Sequence, residues 1–201
     1  PIKKSIIVVG GGVSGMEAAL SAAEQGVDVH LVEKEGVLGG IARQLNSTWQ
    51  GEPIKAYLDD LAAKITSHES INLHLDSQVT GTTGSMGNFI TSIAPNSGGD
   101  EFAVEHGAVI LATGGMEYKP NEYLYGEDPD VMTHLEMDAV IRDEDERLDN
   151  AKSVVFVQCV GSRNEENPSS SNVCCTHSLT SALAVKKMDR RKRVYVVYRD
   201  I

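Results

Sequence analysis

Two groups of residues in this chain have the types and spacing to do chemistry. The first is Gly10-Gly11-Gly12-Val13-Ser14-Gly15, a G-x-G-x-x-G pattern, with Glu33 following it. Each position in such a pattern has a physical task. Gly10 permits a tight turn, Gly12 lets a pyrophosphate reach the backbone, and Gly15 lets a helix pack closely on a strand. A helix opening at Val13 would turn free N–H groups and the positive end of its dipole toward phosphate oxygens. An acid about twenty residues after the glycines suits a pair of ribose hydroxyls. The second group is Cys159, Cys174 and Cys175. Thiolates ligate iron–sulfur clusters, usually four to a cluster, and they are also the nucleophiles of disulfide exchange. Adjacent Cys174 and Cys175 are not a C-x-x-C, which weighs against thioredoxin-type exchange. Three thiols that are simply packed away are the plain alternative.

The glycine pattern gains meaning from the elements around it. Ser5 to Val9 (SIIVV) is a short apolar run rich in β-branched residues that ends in glycines, the mark of a buried parallel strand. Residues 13–25 read as a helix whose Ala18, Ala19, Ala22 and Ala23 permit close packing on a sheet, with Gly26 as its C-cap. Residues 27–32 (VDVHLV) form the next strand, closed by Glu33. A strand before the glycines, a helix after them and an acid at the end of the next strand point to a dinucleotide site. A glycine-rich turn with a surface Glu is the alternative.

Further along, Pro53 to Ser67 repeats Ile54, Tyr57, Leu58, Leu61 and Ile65 at helical spacing. Residues 71–105 read as short strands of an antiparallel meander. Ala108 to Ala112 is another buried strand, followed by Thr113, Gly114 and Gly115. Residues 116–130 are a polar linker or ordered loop, His134 to Arg142 a helix, and the acidic run Asp143 to Asp149 a solvated end. A second strand–loop–helix–strand series then begins: SVVFV at 153–157, a Cys-bearing loop, a helix from about Cys175 to Met188, and RVYVVY. The fold class is therefore α/β, a Rossmann-like domain with a parallel sheet and a small antiparallel excursion, plus part of a second βαβ domain. The expected boundaries are 1–120 for the first domain, 121–150 for a linker with a short helix, and 151–201 for the incomplete second unit. A doubly wound domain that stops at its second strand reads as a fragment of a longer protein, and the opening at Pro1 without Met agrees with that.

Composition narrows the functions. The chain has 201 residues, 41% apolar and 23% charged, with a net charge of −11, so it is expected to form a sizeable core and to repel nucleic-acid phosphates. The one basic run, Lys186 to Arg193, reads as a solvated helix end. No apolar stretch reaches the ~18 residues of a spanning helix, and no signal peptide is visible, so direct membrane insertion is not expected and a cytoplasmic location is. An odd number of cysteines, two of them adjacent, argues against a secreted disulfide framework.

Two additional segments turn the dinucleotide reading toward FAD: Leu38-Gly39-Gly40 just after the acid, and Ala112-Thr113-Gly114 after a later strand. Together VVGGGVSGMEAAL, VEKEGVLGG and VILATGG resemble the FAD domain of the two-dinucleotide-binding flavoproteins, the group of thioredoxin and glutathione reductases. The resemblance implies that the glycine turn (Gly10, Gly12, Val13, Ser14, Gly15) holds the FAD pyrophosphate and that Glu33 holds the adenosine ribose. Ala112, Thr113 and Gly114 would close over the cofactor. Lys34, Gly39 and Gly40 are carried over as further cofactor-binding positions, and the Val79 backbone as a contact for adenine.

A narrower resemblance rests on LGGIARQLN at 38–46, FVQCVGSR at 156–163, NVCCTHS at 172–178 and VYRDI at 197–201. These look like the A-type subunit of heterodisulfide reductase and its relatives, including flavoprotein subunits of quinone-interacting oxidoreductases. That family implies a 4Fe-4S cluster beside the flavin, here on Cys159, Cys174 and Cys175, and electron flow between the flavin and other electron-transfer subunits. In some members the flavin bifurcates electron pairs. The departures are specific. Ser170 stands where the family's loop carries a Cys, and a Cys-rich insertion between 47 and 107 is absent. The loop Gln158-Cys159-Val160-Gly161-Ser162-Arg163 is not a second glycine fingerprint, which counts against direct NAD(P)H binding, although Asp200 ends the next strand where a ribose acid would lie. The Gly-Asp segment that covers the flavin's ribityl chain in the group is also missing. Trp49 and Tyr57 are candidates for the isoalloxazine side or for plain packing, and His177 is read as a packing residue.

The resulting expectation is an FAD-dependent oxidoreductase module that moves electrons between flavin and iron–sulfur or disulfide partners, with no catalytic side chain required. Two alternatives stand beside it: a non-catalytic docking or assembly fragment, and an NAD-binding domain with Glu33 on the ribose.

Overall fold

The computed structural model describes residues 2–199. Asp200 and the last residue of the VYRDI segment lie outside them. The chain separates into two compact units. One takes the chain up to Arg43 together with Lys55–Gly115, and the other takes Gln44–Ile54 and the chain from Met116 on.

The first unit is built on a four-stranded parallel sheet of β1 (Ser5–Val9), β2 (Asp28–Val32), β3 (Ile71–His74) and, numbered in chain order, β7 (Ala108–Leu111). Their spatial order is β3-β2-β1-β7. Helix α1 (Val13–Glu24) returns the chain from β1 to β2. Its small buried residues Gly15, Ala19 and Ala23, with Met16, bring it close to the sheet, whose Val8, Val29 and Leu31 are likewise buried. Helix α2 (Ile54–Ser67) buries Ile54, Leu58, Leu61 and Ile65, the stripe that helical spacing demands.

The other face of the sheet is covered by a three-stranded antiparallel meander of β4 (Ser77–Ser85), β5 (Asn88–Pro95) and β6 (Phe102–His106). Ile7 and Val32 of the parallel sheet pack against Ile93 and Val104 of the meander, with Val9 and Val79 at the edge of the cluster. The meander begins later than the sequence pattern suggests, because Ile71–His74 pairs in parallel with β2. Four apolar-alternating residues carry no mark of pairing direction, so only the partner strand decides it.

In the second unit, β8 (Ser153–Val157) and β9 (Arg193–Val197) pair in parallel around α5 (Cys174–Met188). Helix α3 (His134–Arg142) starts at a capping box. The Thr133 hydroxyl accepts the Glu136 N–H, and the Glu136 carboxylate accepts the Thr133 N–H. Met137, Val140, Phe156, Ala182 and Val185 form the core. The acidic run is not merely a solvated end: Glu146–Asn150 folds into the short α4, whose Leu148 is buried in that core. Among the described residues no helix is long and apolar enough to cross a membrane.

Candidate functional site

The glycine turn lies between the carboxyl end of β1 and the start of α1, where ligands of open parallel sheets bind. Its three fingerprint glycines differ in the space around them. At Gly10, which has φ +110°, a Cβ would overlap the Ala112 carbonyl; at Gly15 it would overlap the carbonyl of Gly10. Neither position has room for any side chain. At Gly12 a Cβ would meet nothing within 4 Å. The turn is thus closed against its own fold at both ends and open in the middle, where a pyrophosphate needs the backbone bare.

Glu33 is buried at the end of β2. One carboxylate oxygen accepts the Gly11 N–H at 2.5 Å and the other accepts the Glu35 N–H at 2.8 Å. A carboxylate offers about four acceptor sites, so each oxygen keeps one for a ribose hydroxyl. Lys34 presents an exposed side chain 3.8 Å from Glu35, while its carbonyl accepts from the Asn96 side chain. The Gly39-Gly40 segment lies along the turn. The Gly39 N–H donates to the Gly11 carbonyl at 2.8 Å, and a Cβ on Gly40 would stand 3.2 Å from the Gly12 Cα. Ala112 continues the β1–β7 ladder by donating to the Val9 carbonyl, which places Thr113 and Gly114 immediately after it. Val79 sits at a β-bulge of the meander, where the register with β5 shifts between Val79 and Gly81. The structure therefore brings Gly10, Gly12, Val13, Ser14, Gly15, Glu33, Gly39, Gly40 and Ala112 to one end of the parallel sheet. Tyr57 is engaged elsewhere, its hydroxyl donating to Glu17. Trp49, in the second unit, is mostly exposed.

The cysteines of the second unit gather at the end of β8 and the start of α5. All three are free thiols. Cys159 adopts φ +62°, in the left-handed region that non-glycine residues seldom occupy. Two residues on, Gly161 also has a left-handed φ and lies against the Tyr118 ring, where any side chain would collide. Burial first, and then the hydrogen-bonded Cys174 and nearby Cys159, push the Cys175 thiol up, with Arg163 opposing. The Ser170 hydroxyl accepts the Asn172 N–H at 3.3 Å. Among the described residues no group of three or more His, Cys, Asp or Glu side chains is placed to hold a metal ion. Three cysteines would need a fourth ligand from water, the Ser170 oxygen or a partner to hold a four-iron cluster, and as placed they do not form a metal-binding group.

Beside the thiols runs a buried polar network that the sequence reading missed. Asp138 on α3 pairs with His177 Nε2 on α5 at 2.9 Å and accepts from Ser181 at 3.2 Å. Gln158, the residue before Cys159, donates to Ser178, which lies 2.8 Å from His134 Nε2. The Gln158 side-chain oxygen Oε1 is buried without a hydrogen-bond partner. The available signal was the i, i+4 spacing of His134 with Asp138 and of His177 with Ser181, which puts each pair on one helix face. Nothing in the sequence says that those two faces meet.

Residues 4–197 match the family of pyridine nucleotide-disulphide oxidoreductases. The whole chain aligns with the A-type subunit of the H(2)/formate:CoB-CoM heterodisulfide,ferredoxin reductase of Methanococcus maripaludis, 26% identical over 293 residues, covering 44% of that protein. It also aligns in full with the A-type iron–sulfur subunit of the CoB–CoM heterodisulfide reductase of Methanocaldococcus jannaschii, 25% identical over 291 residues and again covering 44%. The chain thus spans less than half the length of these relatives. Both alignments are longer than the chain itself, so the relatives carry segments with no counterpart here. Among solved structures, the L-proline dehydrogenase of P. horikoshii shares the fold, with a TM-score of 0.55 at 17% identity over 96% of this chain and 35% of that one. Because the family match runs through both units, the chain belongs to the pyridine nucleotide-disulphide oxidoreductases.

Proposed function

We propose that the first unit binds FAD and that the chain is the flavin-bearing part of an oxidoreductase resembling heterodisulfide reductase. The observation that carries this reading is the glycine turn, sterically sealed at Gly10 and Gly15, open at Gly12, and flanked by the anchored Glu33. The family membership and the relatives among the A-type subunits of heterodisulfide reductase support it.

The protein's part is to bind and orient. The N–H groups at the start of α1 would face the pyrophosphate, Glu33 the adenosine ribose, the Val79 backbone the adenine, and Ala112, Thr113 and Gly114 the cofactor beyond. Glu33 needs no reorganisation to do this, since its oxygens are already fixed by two backbone N–H groups. When bound, FAD supplies the electron transfer itself. No side-chain acid or base is assigned. The electron partners are proposed to be disulfide or iron–sulfur proteins of a larger complex, as the names of the relatives suggest. Cys159, Cys174 and Cys175 are assigned no step, because as placed they do not form a metal site.

A second reading, an assembly fragment, draws on one observation. The outer strand β7 leaves Leu111 largely exposed, and Val155, Tyr195 and Val197 face outward from the β8–β9 sheet. Parallel sheets are normally covered on both faces, so these surfaces suit packing against more protein.

The test is a visible absorption spectrum of the anaerobically purified protein, before and after adding FAD, with iron assayed on the same sample. Flavin bands with little iron are expected. A colourless protein that takes up no FAD would leave the assembly reading. Stoichiometric iron on the cysteines would overturn their assignment as plain thiols.

A further inference from the structure

Beneath the meander, His30 Nδ1 on β2 lies 3.1 Å from His74 Nε2 at the end of β3. The ring centroids are 5.4 Å apart and the planes differ by only 12°. Nearly coplanar rings with their nitrogens closer than their centroids meet end to end, sharing a hydrogen bond, and do not stack face to face. His74 stands opposite Val32 in the β2–β3 register, and His30 is two residues from Val32, so both imidazoles lie on the sheet face that the meander covers. Phe102 of β6 packs on the His74 ring at 5.3 Å between centroids.

Counting protons shows what such a bridge tolerates. With both rings neutral, one nitrogen donates and the other accepts. A third proton is also tolerated, because the imidazolium still donates to its neutral neighbour. A fourth places N–H groups head to head, breaks the bond and sets two positive charges side by side. The other charged or titratable groups acting on the pair are Asp28 on β2, which favours protonation, and His106 at the end of β6, which opposes it. Burial first, and then each other or His106, lower both histidines from their ordinary value.

The position of the pair gives it a consequence. The His74 carbonyl accepts the Glu33 N–H at 2.9 Å, and the Ser77 N–H donates to the Glu33 carbonyl at 3.0 Å. The β2–β3 end that the bridge closes is therefore the end that holds Glu33 in place. We propose that the His30–His74 bridge is an acid-sensitive latch, which keeps β2 and β3 together until both imidazoles are protonated and then loosens the Glu33 edge of the dinucleotide site. The link to the cofactor rests on the FAD reading above, but the latch itself does not.

The experiment is a histidine-resolved NMR titration of the full chain from roughly pH 8 to about pH 4.5, with amide exchange at Glu33 and Val29 measured alongside and corrected for the intrinsic rate. His30 and His74 are expected to titrate as one coupled pair in two separate steps. At the second step, exchange at Glu33 should rise by about tenfold for each pH unit. In His74→Gln and His30→Gln, each of which keeps a hydrogen-bonding side chain that cannot charge, that rise should vanish. Two independent single-step titrations, or an exchange rise that persists in both variants, would overturn the latch. FAD affinity measured at the two ends of the range tests the link. If FAD binds at neither pH while the coupled titration and exchange step stand, the FAD reading fails and the latch holds.

Discussion

The Glu33 carboxylate accepts the Gly11 amide at 2.5 Å, so the acid that ends β2 is fastened directly to the turn that ends β1. On the FAD reading proposed above, that bond fixes the carboxylate offered to the ribose before any cofactor arrives. It also makes Glu33 part of the fold, because a buried carboxylate that lost its donors would be costly.

Glu33→Gln replaces a charged acceptor by a neutral one that can accept only at one atom. Hydrogen bonds to a charged group are worth roughly 2 kcal/mol, so FAD affinity should fall about thirtyfold, and thermal stability should fall with it. Isothermal titration and a melting curve on the same preparation measure both. An unchanged FAD affinity would remove Glu33 from the site.

Gly12 and Gly15 separate binding from folding. At Gly15 a methyl group would overlap the Gly10 carbonyl, so Gly15→Ala should prevent the first unit from folding, seen as lost circular dichroism and broad amide spectra. At Gly12 the space is open, so Gly12→Ala should leave stability within about 1 kcal/mol while filling the place of a phosphate oxygen. Equal effects of the two substitutions would contradict the geometry.

Asp138→Ala should destabilise the second unit by about 3 kcal/mol, because it strands the His177 ring in a largely buried network, while Ser181 keeps the His177 carbonyl as its acceptor. Differential scanning calorimetry reads this as a lower midpoint for the transition that Phe156 and Val185 belong to. No change would mean that water readily replaces the carboxylate.

Stability should fall in mild acid. Burial holds His106 and His134 below their ordinary value of 6.5, and for His134 the neighbouring His177 adds to this. A group whose pKa is depressed on folding contributes stability that is complete above the unfolded value and is lost as pH falls through the folded one. Urea midpoints should therefore be flat above about pH 7 and decline below about pH 6. Glu136 extends the decline to lower pH. Burial alone would raise its carboxyl, but the Thr133 N–H, Lys119 and Tyr125 outweigh burial and hold it down to about 2. A midpoint that rises as the pH falls from about 7 to about 5 would contradict the histidine contribution.

Much of this was legible in the sequence, and the rest was not, for physical reasons. The first βαβ announced itself because Gly10, Gly12 and Gly15 are local requirements of one turn and Ser5–Val9 buries Ile7 and Val8, whereas Ala108–Leu111, equally apolar and expected to be buried, is exposed at the sheet edge. The α3 helix was read as His134 to Arg142, and the structure adds the Thr133–Glu136 capping box that starts it. The pairing of β3 with β2, the His30–His74 bridge and the Asp138 network all depend on residues more than thirty positions apart. Composition and spacing carry no information about which distant faces meet. The cysteines show the same limit. Their spacing resembles that of a cluster-binding family, yet the three are not gathered into a metal-binding group among the described residues, and how distant thiols converge is not written in their spacing.

The most direct test of the central claim is a fluorescence titration of FAD into the full chain, repeated with NAD and with the Gly12→Ala variant. Saturable binding of one FAD per chain is expected, with weak or no binding of NAD, and with loss of FAD binding in a Gly12→Ala protein that remains folded. FAD binding that survives Gly12→Ala, or a wild-type chain that binds NAD in preference to FAD, would contradict the claim.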